Sequence, residues 1–201
     1  MGVNVILDVG AHFGEFYEEV RRSGYKNRVI SIEPTLSSFE ILKKIKSNDQ
    51  SFKSLNIALG EETGELIINE YEESSMNSIL DVDRDSTYIL SPKKGSSKIG
   101  CMTLDELIQS ESLENEVIFI KLDVQGFELK ILKGLNKYLE SVSAMQVEIS
   151  INPVYRDASN LPEFIEWLEK NNFKIVSIVT ERFHESVVYA YDIDILCVRV
   201  K

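Results

Sequence analysis

The chain has 201 residues, 43% of them hydrophobic, which suits one compact domain and would cramp two. Its 33 acidic residues against 22 basic ones give a formal net charge of −11, and no run of Lys or Arg exceeds two. Phosphate binding needs a basic footprint, so neither nucleic acid nor an anionic membrane surface is an expected partner.

The elements follow in chain order. Val3 to Val9 is a short apolar, β-branched run that reads as a buried parallel strand. It is too short for a signal peptide's apolar region, and no stretch is long enough to span a bilayer, so the expected location is cytoplasmic. Residues 10–14 form a turn, and Glu15 to Arg22 reads as a helix. Arg28 to Glu33 is a second strand, stopped by Pro34. A helix follows over Ser37 to Lys46, then a third strand over Ser54 to Leu59. Alternation of this kind predicts parallel pairing with right-handed crossovers.

Gly64 to Glu70 reads as an extra strand. Residues 72–98 are rich in Ser, Asp and Glu without a period, and are expected to form a mobile loop near the site. Thr103 to Glu106 has capping-box spacing and should start a helix. Val117 to Leu122 is a strand, Gly126 to Leu139 a helix, and Ser143 to Ile149 a further strand. Asn160, Pro162 and Glu163 open another helix. Lys174 to Val179 and Ile193 to Val200 are strands joined without a helix. The expected fold is α/β and Rossmann-like. It is a single domain over 1–201, with a seven-stranded, mostly parallel sheet, helices on both faces and an antiparallel last strand. Cys101 and Cys197 lie far apart in apolar runs and read as buried thiols.

The most informative segment is Asp8-Val9-Gly10-Ala11-His12-Phe13-Gly14, between a strand and a helix, where α/β folds bind nucleotides. Gly10 allows the tight turn, Ala11 a close backbone approach, and Gly14 close helix packing. A dinucleotide fingerprint has a third glycine in the middle, where its absent side chain admits a pyrophosphate. His12 occupies that place here, so a nucleoside without phosphates fits better, as in S-adenosylmethionine. Glu33 ends the second strand, where an acid accepts hydrogen bonds from ribose hydroxyls. Asp8 lies inside an apolar strand and needs a partner, either turn amides or the ligand's ammonium group. Ala58, near the third strand's end, should face the same crevice and meet the adenine base through its backbone.

A second cluster, Lys121 to Glu128, follows a core strand whose carboxyl end should face the crevice. Asp123 and Glu128 are placed to hold a substrate hydroxyl or take its proton. Three side chains are candidate bases. Asp123 is favoured because its strand end should neighbour Gly10. His12 belongs to the residue type whose proton moves near neutral pH. Glu148 ends the adjacent strand and could instead orient the acceptor. Asp123 with Glu148 could hold a magnesium ion, but no third ligand is predicted and no metal is expected.

The sequence resembles the FkbM family of methyltransferases. The matching pieces are DVGAHFGEF (8–16), SIEP (31–34), NIALGEETGE (56–65), MNSI (76–79), TLDEL (103–107), IKLDVQGFELKILKG (120–134) and VEIS (147–150). The family usually has Glu where this chain has Gln125. The resemblance implies a class I methyltransferase fold, S-adenosylmethionine as cofactor, and methyl transfer to an oxygen of a small-molecule or glycan acceptor. It carries over Asp8, Gly10, Gly14 and Glu33 for the cofactor and Asp123 for the crevice. The MNSI match points to Asn77 and Ser78 as acceptor-side residues on a lid. Two other readings remain: a catalytically silent S-adenosylmethionine-binding or scaffold protein, hinted at by Gln125, and a nicotinamide oxidoreductase, against which His12 argues.

Overall fold

The computed structural model describes residues 2–45, 49–83, 91–180 and 192–200. In chain order the strands are β1 (Val5–Val9), β2 (Arg28–Ile32), β3 (Phe52–Leu55), β4 (Ala58–Leu59), β5 (Gly64–Tyr71), β6 (Lys93–Met102), β7 (Ile118–Leu122), β8 (Val142–Ser150), β9 (Phe173–Val179) and β10 (Asp192–Arg199). The α-helices are α1 (Glu15–Arg22), α2 (Leu36–Ile45), α3 (Leu104–Ser110), α4 (Glu128–Lys133) and α5 (Leu161–Lys170).

Seven strands form one sheet in the order β3-β2-β1-β7-β8-β10-β9. The first five pair in parallel, and β10 lies antiparallel between β8 and β9. Alternation along β1 divides the two faces. Val5, Leu7 and Val9 join the main core with Leu104, Leu107, Leu132 and Phe164 from α3, α4 and α5. Ile6 faces the other way, against Tyr17 of α1 and Val29. β1 is buried at all five positions, which is why it reads as a continuous apolar run.

Three expectations need correction. The strand expected over 54–59 is split. The side-chain amide of Asn56 donates to the carbonyls of Glu33 and Pro34, turning the chain out of the large sheet. Ala58 and Leu59 then pair with Cys101 and Met102 in a second sheet, ordered β4-β6-β5. The expected loop 72–98 is partly ordered: Ser74–Met76 form a 3-10 turn, and residues 93–98 begin β6. Those six residues are all solvent-exposed, so the strand has no apolar face to mark it in sequence. Residues 84–90 of that stretch lie outside the described residues. The helix expected over 126–139 ends at Lys133. Gly134 follows, packed against the Gly60 carbonyl, and the Asp105 carboxylate then accepts the amides of Asn136, Lys137 and Tyr138.

The capping box does form: Thr103 accepts the Glu106 amide and Glu106 accepts the Thr103 amide. Among the described residues, no helix is long and apolar enough to cross a membrane.

Candidate functional site

Residues 10–14 make a turn with three left-handed residues, Gly10 (φ 79°), His12 (φ 48°) and Gly14 (φ 92°). The amides of Gly10 and Ala11 donate to the Ile32 carbonyl at 3.0 and 3.1 Å, tying the turn to β2. Gly10 has a second constraint: a Cβ there would collide with the Asp123 carbonyl. Gly14 caps α1 and does not line the cavity. Its glycine is explained by the left-handed backbone.

Glu33 lies just beyond β2 and is 5% exposed. One carboxylate oxygen accepts the His12 amide and the other the Thr35 amide, both at 2.8 Å. Burial pushes its carboxyl up to about 7, with the two amides opposing that rise. Around this group opens a cavity of about 360 Å³ at the carboxyl ends of β1 and β2. Gly10, Ala11, His12, Glu33, Ala58, Asn77, Ser78 and Asp123 all line it, as do Thr35, Ser74 and Lys121.

Period-two geometry gathers a charged group on the α1 face of the sheet. Asp8 is in register with Ser31 on one side and Lys121 on the other. The Ser31 hydroxyl donates to Asp8 at 3.0 Å, and the second Asp8 oxygen is buried without a partner. Burial raises the Asp8 carboxyl, and Lys121 pulls it back. Asp8 therefore sits behind the cavity, not in it. Turn amides do not reach it; Ser31 does.

Lys121 Nζ donates to Asp123 at 2.9 Å. Burial works against the Lys121 ammonium, but Asp123 and Asp8 outweigh it and hold it above the ordinary lysine value. Burial would raise the Asp123 carboxyl, yet Lys121 holds it below the usual range. The Gln125 side-chain amide bridges Asp123 (3.2 Å) and Glu148 (3.1 Å). Glu148 does not line the cavity. Burial and then the charge of Asp123 push its carboxyl up.

Other expected site residues have structural work. Glu128 is 1% exposed and turned inward, where one oxygen accepts the amides of Val124 and Gly126. It cannot meet a substrate from there. The Ser78 hydroxyl donates to the Gln125 carbonyl, and Asn77 reaches the Thr35 hydroxyl. His12 Nε2 lies 2.8 Å from the Ser74 hydroxyl and Nδ1 lies 3.2 Å from Glu15. The segment 74–78 thus lies along one side of the cavity, fastened to the glycine turn and to the residues after β2.

Lys121 was absent from the sequence-derived candidates. Strict alternation was its signal: Ile118, Ile120 and Leu122 are buried in the main core, which leaves Phe119 and Lys121 on the α1 face. Among the described residues, no group of three or more metal-binding side chains comes together.

The strand order, the antiparallel insertion of β10 and a glycine-turn cavity with an acid after β2 define the Rossmann-like fold of S-adenosylmethionine-dependent methyltransferases. Structures of similar fold agree. M. capricolum TrmK, solved in complex with S-adenosyl-homocysteine, superposes with a TM-score of 0.57 at 10% identity, over 100% of this chain and 64% of that one. An rRNA methylase from Streptococcus thermophilus gives 0.53 at 8% identity, over 99% and 88%. The chain belongs to the methyltransferase FkbM domain family, which matches residues 8–175. A hexuronic acid methyltransferase, AglP of Haloferax volcanii, is 35% identical over 68 residues, or 34% of this chain and 28% of that protein.

Proposed function

We propose that the protein methylates a hydroxyl oxygen of a sugar, glycan or similar metabolite, with Asp123 taking the hydroxyl proton. The observation that carries this reading is the placement of Asp123. Asp123 lines the cavity beside the glycine turn, and its carboxylate accepts from the Lys121 ammonium at 2.9 Å, which holds its carboxyl below the usual range. A partial match to a hexuronic acid methyltransferase agrees with a sugar acceptor.

The cavity suits the cofactor. Its volume falls within the range of about 300–1,000 Å³ common for small-molecule sites. Glu33 would take the ribose hydroxyls with the lone pairs its two amide contacts leave free. Ile57, Ala58 and Leu59 supply an apolar wall for a base. When bound, S-adenosylmethionine supplies an electrophilic methyl group and departs as the neutral thioether. The protein's own part is to align the acceptor oxygen and exclude water. The proton passes from that oxygen to Asp123, leaving the carboxyl neutral beside Lys121. Gln125, where the family usually has Glu, donates its side-chain amide to both Asp123 and Glu148, and both carboxylates are present for the chemistry.

Calorimetry tests the cofactor half of the proposal. S-adenosylmethionine or S-adenosyl-homocysteine should bind, and NAD should not. Tight NAD binding would overturn it.

A further inference from the structure

A second groove of about 740 Å³ adjoins the cofactor cavity on the α1 face of the large sheet. Lys121, Gln146 and Asp194 form its floor on β7, β8 and β10, and the Gln146 amide donates to Asp194 at 3.3 Å. One wall is α1, from Glu15 and Phe16 to Arg22. Glu15, Phe16, Lys121 and Asp123 line both cavities.

We propose that this groove is the acceptor site and that it selects a polyhydroxylated acceptor carrying no anionic group. The inference rests on the methyltransferase reading above. A transfer between two bound molecules needs adjoining sites with the reacting groups at the shared wall. Asp123 stands at that wall, so a hydroxyl presented from the groove meets the group assigned to take its proton. The floor offers an amide and a carboxylate, which suit hydroxyl partners. The Phe16 ring gives the C–H face of a sugar an apolar surface.

Charge sets the selectivity. Among the described residues, the charged lining is Glu15, Glu19, Asp123 and Asp194 against Arg22 and Lys121, and Lys121 is already paired with Asp123. A carboxylate-bearing sugar would enter a negative field that a neutral or amino sugar does not oppose. The groove therefore differs in preference from the hexuronic acid that the Haloferax volcanii relative is named for.

The test is a set of amide spectra of the full chain, first with S-adenosyl-homocysteine. Methyl glucoside, methyl glucosaminide and methyl glucuronide are then added separately. The first two should move the Ser23 and Gln146 amides, and the glucuronide should bind at least about tenfold more weakly. Glu19→Lys should narrow that gap. Equal or tighter glucuronide binding, shifts clustered away from the groove, or silence with all three sugars would each overturn the proposal. S-adenosyl-homocysteine should itself move the Gly10 and Ala11 amides. If they stay still, the cofactor reading fails; if they move while the groove stays silent, only the acceptor assignment fails.

Discussion

Gly10 lies directly against the main-chain carbonyl of Asp123, with no room between them for a single methyl group. The glycine turn and the loop carrying the proposed base are thereby fitted to each other. The Asp123 amide completes the contact by donating to the Val9 carbonyl at 3.1 Å. Gly10→Ala must relieve both a collision and a left-handed φ of 79°. It should destabilise the fold by roughly 1–3 kcal/mol, read by chemical denaturation. An unchanged midpoint would show that the two loops move apart freely.

Glu33→Gln should weaken cofactor binding and flatten the pH dependence of stability. Loss of a charged acceptor should weaken S-adenosyl-homocysteine by about 1–3 kcal/mol in calorimetry. In the unliganded protein, burial holds the Glu33 carboxyl up at about 7, against about 4.3 for an unperturbed glutamate. The folded state therefore keeps a proton that the unfolded chain releases between those values. That contribution is full below the lower value and is lost as pH rises through the upper one. Melting in mildly acidic and mildly alkaline buffers should show a smaller decline with pH for Glu33→Gln than for the parent. An equal decline would mean that Glu33 is already ionised.

Asp123→Asn separates an enzyme from a binder. The side chain keeps its shape, so fold and cofactor affinity should change little. Turnover on an accepted sugar should fall by about 10²–10⁴-fold. Lost cofactor affinity would reassign Asp123 to cofactor binding, and full activity would remove it as the base.

Lys121→Met should act through Asp123. Without the ammonium 2.9 Å away, the carboxyl loses the charge that holds it low. The acidic limb of the pH–rate profile should then move to higher pH, with Lys121→Arg restoring much of the parent profile. An unmoved limb would place the titrating group elsewhere.

Ser74→Ala tests whether segment 74–78 gates the cavity. It removes the contact between His12 Nε2 and Ser74, a residue that lines the cavity. A gate predicts that S-adenosyl-homocysteine both enters and leaves faster, with affinity nearly unchanged. Stopped-flow binding reads this; a faster departure alone would instead mark Ser74 as a direct contact.

Much of the fold was legible because burial writes itself into sequence. β1, β2 and β7 are covered on both faces or alternate cleanly, and their runs are plain. Gly10 and Glu33 were legible because each meets a local demand, a turn and a strand-end acid. The break after β3 was hidden because one side chain, Asn56, makes it by capping distant carbonyls. The first half of β6 was hidden because a strand exposed on both sides has no period. Glu128 misled because a carboxylate can serve backbone amides as readily as a ligand, and composition does not show which way it turns.

The place of β10 bears on how the chain assembles. It follows β9 in sequence, yet β9 meets the large sheet only through it. While the polypeptide is being synthesised, β9 emerges with no neighbour to pair with, and β8 keeps a bare edge. Both wait for Asp192–Arg199 to be threaded between them in antiparallel register. Closure of that half of the sheet is consequently a late, long-range event. Until it occurs, the floor of the Gln146–Asp194 groove does not exist, so the groove proposed for the acceptor can form only after Asp192–Arg199 has been made and paired.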